Sequence, residues 1–148
     1  MRNCQNPPKV DRNVWHQICS LAASVSEQSE LLKKRTMGFA LDVCALLRVL
    51  PTTEPGPTER RQLAKSSTGL AFNYRASCRA RSHAEFTAKM GIVAEEADES
   101  QGWLEFMEAA KLAQSNELTR LVGEAAELVA IFSASVGTAR YNERNKEP

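Results

Sequence analysis

The sequence predicts an all-α protein, and three observations carry that reading. Ala and Leu together supply 34 of the 148 residues while Val, Ile and Thr supply 20, a balance that favours helix over strand. Gly and Pro together number only 13, too few for a chain built of many tight turns. Apolar residues recur at spacings of three and four through four successive segments, the signature of helices with one buried face. An apolar content of 43% is enough for one domain to form a core without metal or disulfide staples.

In the first segment Phe39, Val43, Leu46 and Leu50 share a face that Ala40, Cys44 and Leu47 broaden. A helix matching the others in length must start further back, so we extend it through residues 27–35. Residues 51–58, rich in Pro, stop it and form a stiff loop, with Thr58 the expected N-cap of the second helix. That helix buries Leu63, Ser67, Leu70 and Tyr74. Ser82-His83-Ala84-Glu85 reads as a capping box that opens a third helix, whose seam is Phe86, Met90, Val93, Ala97, Leu104 and Met107. His83 is then expected to face solvent. Ser115 or Asn116 caps a fourth helix running to about Arg140, with Leu118, Val122, Ala125, Val129, Phe132 and Val136 facing inward. Short connections make neighbouring helices antiparallel, so the expected architecture is an up-down-up-down four-helix bundle over residues 35–140.

Residues 1–34 form an N-terminal extension. Val14, Ile18, Leu21, Val25 and Leu32 hold heptad-like spacing in phase with Phe39, which fits an extra helix docked on the bundle or an arm ordered by a partner. Residues 141–148 are expected to fray.

Several functions are not encouraged. The polar start, with Pro7-Pro8, lacks the apolar stretch of a signal peptide, and no run of about 18 apolar residues marks a membrane span, so a cytoplasmic location is expected. Cys4, Cys19, Cys44 and Cys78 lie far apart without C-x-x-C spacing and read as free thiols. His16 and His83 complete no metal motif, and no nucleophile elbow or phosphate-binding loop is present. Glu96 and Glu99 lie three residues apart beside Trp103 without a nucleophile or metal partner. We therefore expect no catalytic residues, no metal, no cofactor and no membrane partner; a non-enzymatic protein is the leading reading, and an enzyme lacking a recognisable motif a minor one.

Charge placement is more informative than the net charge of +1. Residues 59–90 carry seven basic and two acidic side chains, whereas residues 91–110 carry six acidic and no basic ones. Arg61, Lys65, Arg75 and Arg79 fall within an arc of about 80° opposite Leu63, with Phe72 at its centre and Arg81 just beyond the helix. Such a strip either solvates and pairs weakly with the acidic helix, or contacts phosphates while Phe72 stacks on a base. On the third helix Ile92, Trp103 and Phe106 make a second apolar strip interleaved with Glu95 and Glu99. A monomeric bundle has no use for that surplus, which is covered by the N-terminal extension or buried between subunits; docked on the basic strip of the next subunit, it closes a ring. Asn73, at the flank of the second seam, is expected to bond to Glu96 or to backbone and fix the helix register.

The run Asn73-Tyr74-Arg75-Ala76-Ser77-Cys78-Arg79-Ala80-Arg81-Ser82, followed by Ala84-Glu85-Phe86, Lys89-Met90, Glu95-Glu96-Ala97-Asp98-Glu99 and Trp103-Leu104-Glu105, resembles the bacterial four-helix-bundle family found in intervening sequences of large-subunit ribosomal RNA genes. Arg35-Thr36, Phe39-Ala40-Leu41, Gln62-Leu63, Glu127-Leu128-Val129-Ala130-Ile131 and Thr138-Ala139-Arg140 extend the likeness over about residues 35–140. The resemblance implies an antiparallel bundle assembling as a ring, commonly a pentamer. It also implies a fold shared with accessory proteins of diversity-generating retroelements, which bind reverse transcriptase and nucleic acid. Where such relatives place small residues before the Asn-Tyr-Arg motif this sequence has Ala71-Phe72, and Ser67 and Gly69 exchange the usual Gly and Ser. Two readings stay open: an oligomeric adaptor for RNA, DNA or a nucleic-acid enzyme, and an oligomeric scaffold whose charged stripes are subunit interfaces and whose ligand lies elsewhere.

Overall fold

The computed structural model describes residues 12–50, 56–113 and 115–145, with side chains described throughout except at 12–16 and 18–24. Among them the chain is all-helical: α1 (Arg12–Val49), α2 (Gly56–Ser77), α3 (His83–Ala109) and α4 (Asn116–Arg144). The arrangement fits a bundle. Two compact units divide the chain, residues 1–32 and 33–148, and α1 begins in the first and ends in the second.

α1 starts well before the expected residue 27 and is unbroken to Val49, because Ser24, Ser26 and Ser29 are tolerated in a helix; Ser29 turns its hydroxyl onto the Ser26 carbonyl at 3.0 Å. Within the expected N-terminal seam Val25 is 66% exposed, Leu32 is half-buried, and Val14, Ile18 and Leu21 lie outside the described side chains.

α2 opens at Gly56, two residues ahead of the expected cap, so Thr58 lies inside the helix. Pro57 occupies the first turn, where a missing N–H costs nothing, and Glu59 adds a negative charge at the positive end of the helix. Arg60 Nη1 closes the α1–α2 corner by donating to the Leu50 carbonyl at 2.6 Å.

The α2–α3 corner follows its sequence signals. After Ser77 the amides of Arg79 and Ala80 bond three residues back, tightening the chain into a turn. Ser82 then caps α3, accepting from the Glu85 amide at 3.1 Å. Glu85 reaches back to the Arg81 amide at 2.8 Å rather than to that of Ser82, one residue further than the ideal box. That bond holds the Glu85 carboxyl below the usual carboxylate range. α3 ends at a Schellman-type turn: Lys111, at φ 56°, donates to the Glu108 carbonyl and Leu112 to that of Met107. Ser115 caps α4 through the Leu118 amide at 3.1 Å, and the helix continues to Arg144, past the expected end at Arg140.

The core gathers Phe39, Val43 and Leu46 from α1, Leu63, Leu70 and Tyr74 from α2, Met90, Val93, Leu104 and Met107 from α3, and Leu118, Leu128 and Phe132 from α4. Tyr74 and Phe132 meet with ring centroids 5.3 Å apart. On α4 Leu121 and Leu128 are fully buried along with Leu118 and Phe132, whereas Val122 and Val129 are half-buried: the longer leucines take the centre of the stripe. On α3 Phe86 is likewise half-buried.

Ion pairs tie α1 to α4. Arg35 grips both Glu124 oxygens at 2.6 and 2.9 Å and reaches Glu127 at 2.5 Å, while Arg120 links Asp42 at 2.7 Å to Glu117. His83 is half-buried rather than solvent-facing, its Nε2 lying 2.9 Å from the Ala139 carbonyl, so it pins the start of α3 to α4. Cys44 and Cys78 are free, half-buried thiols.

Candidate functional site

The outward side of α2 is built by its periodicity. With Leu63, Leu70 and Tyr74 buried, steps of three and four carry Arg61, Lys65, Phe72 and Arg75 to one exposed strip, Arg79 follows in the turn after Ser77, also exposed, and Phe72 is 60% exposed. None of these four cations has an ion-pair partner among the described residues, so the weak pairing with the acidic helix, one of the two alternatives the sequence left open, is not formed there. Arg81 differs: it lies in the corner, open to solvent, and pairs with Glu85 at 3.5 Å. A shallow hollow of about 400 Å³, lined by Leu47, Pro57, Arg60, Arg61 and Ala64, adjoins the Arg61 end of the strip. An extended cationic track with one bare aromatic ring can neutralise successive phosphates and offer a stacking platform.

On α3 the second strip is also on the outside. Ile92 is 45% and Phe106 47% exposed, Glu95 and Glu99 are exposed, and Trp103 is half-buried. The Trp103 indole N–H donates to Glu99 Oε1 at 3.2 Å and its ring meets Phe106 edge-on at 5.9 Å, so the two aromatics and the acid form one ordered patch.

Between the strips, the α2–α3 contact holds Glu96, which the sequence reading offered, with backbone as the alternative, as a partner for Asn73. Glu96 does not bond to Asn73; its Oε2 is buried without a hydrogen-bond partner, and its carboxyl lies over Gly69. A Cβ at Gly69 would fall 2.7 Å from Glu96 Cδ and 2.8 Å from both oxygens, so only glycine leaves room for the group. Burial first, and then the like charge of Glu99, raise the Glu96 carboxyl above the usual range, with Lys65 opposing. One turn along, Ser100 and Ser66 share a buried hydroxyl hydrogen bond at 3.0 Å. Gly69 was the available signal, a helix-interior glycine facing an acidic helix.

The outer face of α4 bears Gly123, Ala126, Ala130, Ala134 and Gly137, with few charges among them, and the helix has a mean hydropathy of 1.4 over its most apolar window, of which 28% is buried. By length and composition alone α4 therefore passes as a membrane-crossing segment, where the sequence reading expected none.

Helical packing, an unpaired cationic strip and an ordered acidic–aromatic strip thus define the class: a four-helix protein with two exposed, chemically distinct faces. The fold is similar to the crystal structure of a protein of unknown function from the S23 ribosomal protein family of Bacteroides thetaiotaomicron, with a TM-score of 0.66 and 21% identity over 74% of this chain and 97% of that one. No protein-family model and no curated protein matches the chain.

Proposed function

We propose that this protein is a non-enzymatic, oligomeric adaptor that binds nucleic acid, or a nucleic-acid enzyme such as a reverse transcriptase, through the α2 strip. The observation that carries the proposal is the strip itself: Arg61, Lys65, Arg75 and Arg79 unpaired on one face around an exposed Phe72. Charges consumed by intramolecular salt bridges have nothing left to offer a phosphate, and these are not consumed. The likeness to an S23-family structure of unknown function supports the helical fold that displays the strip, and the sequence resemblance to proteins of ribosomal RNA intervening sequences, with relatives among retroelement accessory proteins, is what points towards nucleic acid.

The finer architecture belongs to the same proposal. Ser66 meets Ser100, Gly69 meets Glu96, Glu108 meets Thr119, and Arg35 and Asp42 meet Glu124 and Arg120, which supports an up-down-up-down order of helices. The α3 patch of Ile92, Glu95, Glu99, Trp103 and Phe106 would then be the subunit contact of a ring, commonly a pentamer in proteins that resemble this one. In this reading α4 is a bundle helix of a cytoplasmic protein rather than a membrane span, consistent with Arg35 holding Glu124 and Glu127 on its flank.

The test is the anisotropy of a labelled single-stranded oligonucleotide against salt. Four phosphate contacts predict a slope of about −3 in log affinity against log salt, and replacing Arg61, Lys65, Arg75 and Arg79 by Gln removes both binding and slope. A protein that binds nothing at low salt refutes the reading. The second reading, in which the charged strips are subunit contacts, is favoured by the exposure of Ile92 and Phe106. It predicts that the same Gln substitutions lower the mass measured by light scattering, whereas the adaptor reading leaves it unchanged.

A further inference from the structure

The outward side of α2 is one row. Positions 61, 65, 68, 72 and 75 recur at steps of four, three, four and three, so Arg61, Lys65, Thr68, Phe72 and Arg75 follow one side of the helix over about 21 Å at about 1.5 Å per residue. Arg79 prolongs the row into the turn beyond Ser77. Thr68 is half-buried and offers little to a ligand, because its hydroxyl is turned back onto the Ala64 carbonyl at 2.7 Å and that of Lys65 at 3.1 Å. What the row presents is therefore cations at both ends and a bare ring between them. Along the axis Lys65 lies about 10 Å before Phe72 and Arg75 about 4.5 Å after it. Among the described residues no other ring stacks on Phe72, and more than half of its surface is open to solvent.

Resting on the adaptor reading above, we infer that this row takes single-stranded nucleic acid in preference to a duplex, with Phe72 the seat of one unpaired base and the flanking cations on the phosphates to either side of it. Two physical arguments separate the two ligands. A duplex carries its phosphates through a full turn in about 34 Å, so over the length of the row each backbone winds through more than half a turn while the cations keep to one side of α2. A single strand has no such constraint and can lie along the row. The second argument is the ring. In a duplex each base face is covered by the neighbouring pair, which leaves Phe72 nothing to stack on, whereas a flexible strand can turn a base out onto it. Such a contact is indifferent to sequence, because every base has a π-face. Four cations set a footprint of about four nucleotides, at the small end of single-strand sites.

The experiment follows the anisotropy of three fluorescein-labelled probes of about twelve nucleotides, within the range of single-strand site sizes: an oligothymidylate, a duplex of mixed sequence, and an abasic deoxyribose-phosphate strand that keeps the charges and lacks the bases. Each is titrated with the full chain as wild type, Phe72→Ala and Phe72→Trp. Wild type is expected to bind the oligothymidylate about tenfold more tightly than the abasic strand, the effect of one base on one ring, and more tightly than the duplex. Phe72→Ala should bring the oligothymidylate down to the abasic level while the slope of log affinity against log salt stays at about −3, since no phosphate contact is lost. Phe72→Trp should keep or tighten binding. A duplex bound as tightly as the oligothymidylate, or an affinity for it that Phe72→Ala leaves unchanged, overturns the inference and leaves the adaptor reading standing. A loss in Phe72→Ala that extends equally to the abasic strand also overturns it, because the ring then serves the protein's own assembly. Absence of binding to all three probes overturns the adaptor reading and the inference with it. The contrast between oligothymidylate and abasic strand on wild type needs no substitution, so it decides the question even where a variant folds poorly.

Discussion

Gly69→Ala is an instructive single substitution, because two rules for helix glycines disagree about it. By propensity, alanine in a helix interior is favoured over glycine by about 1 kcal/mol. By space, the new methyl would lie 2.7 Å from Glu96 Cδ, closer than any stable contact. The outcome depends on which atom must yield. Everything crowding the site is the far end of a flexible glutamate rather than backbone, so the carboxyl rotates outward and the helices stay in place. Leaving the seat also returns the orphaned Oε2 to water. The sign with pH follows from the direction of the shift. A carboxyl raised in the folded state gives stability that is fully present below its ordinary value and lost as pH rises through the raised one. The wild type therefore carries its penalty on the alkaline side, and Gly69→Ala relieves it there. Thermal unfolding followed by circular dichroism should show the variant more stable by about 1 kcal/mol or more at pH 8, a rise of roughly 2–4 °C in Tm. At about pH 4 the advantage should shrink, since the protonated wild-type carboxyl has lost its charge. A variant less stable than wild type at pH 8 would refute the argument, because it would mean that α2 and α3 need the glycine for their own approach.

The remaining predictions concern the helix ends and the α1–α4 ties. Ser82→Ala removes the cap of α3 and should cost about 1 kcal/mol in urea unfolding. Lys111→Gly places the residue suited to φ 56° at the α3 terminus and should stabilise the protein by up to about 1 kcal/mol by the same assay. Arg35→Ala leaves Glu124 and Glu127 without their shared partner and should cost about 1 kcal/mol, most of it insensitive to salt only if the half-buried Glu124 dominates over the exposed Glu127. Glu85→Gln should flatten the acid side of the stability profile, because a carboxyl held below its ordinary range gives stability present above that range and lost as pH falls; comparing Tm at about pH 3 and about pH 7 checks it.

The helices were legible because each encodes its ends and its inward face in residues near one another. Ser82 and Ser115 announce their helices through bonds three residues long, and Leu63, Leu70 and Tyr74 declare a buried face by spacing alone. Thr58 misled because a proline in a first turn competes with a threonine as a start signal, and Gly56-Pro57 opened the helix earlier. The exposed strip was legible for the same local reason. Its lack of partners was not, since whether α3 carboxylates reach it depends on how the two helices rotate about each other. Glu96 shows the same limit. Asn73 and Gly69 lie four residues apart on α2, both near the face that meets α3, and periodicity alone does not say which receives a carboxyl from α3. Side-chain chemistry pointed to the amide, but packing selected the residue with no side chain, because a carboxyl needs volume before it can use a hydrogen bond. That choice leaves a charge-bearing group unpaired in the contact between a cationic strip on one helix and an acidic one on the next.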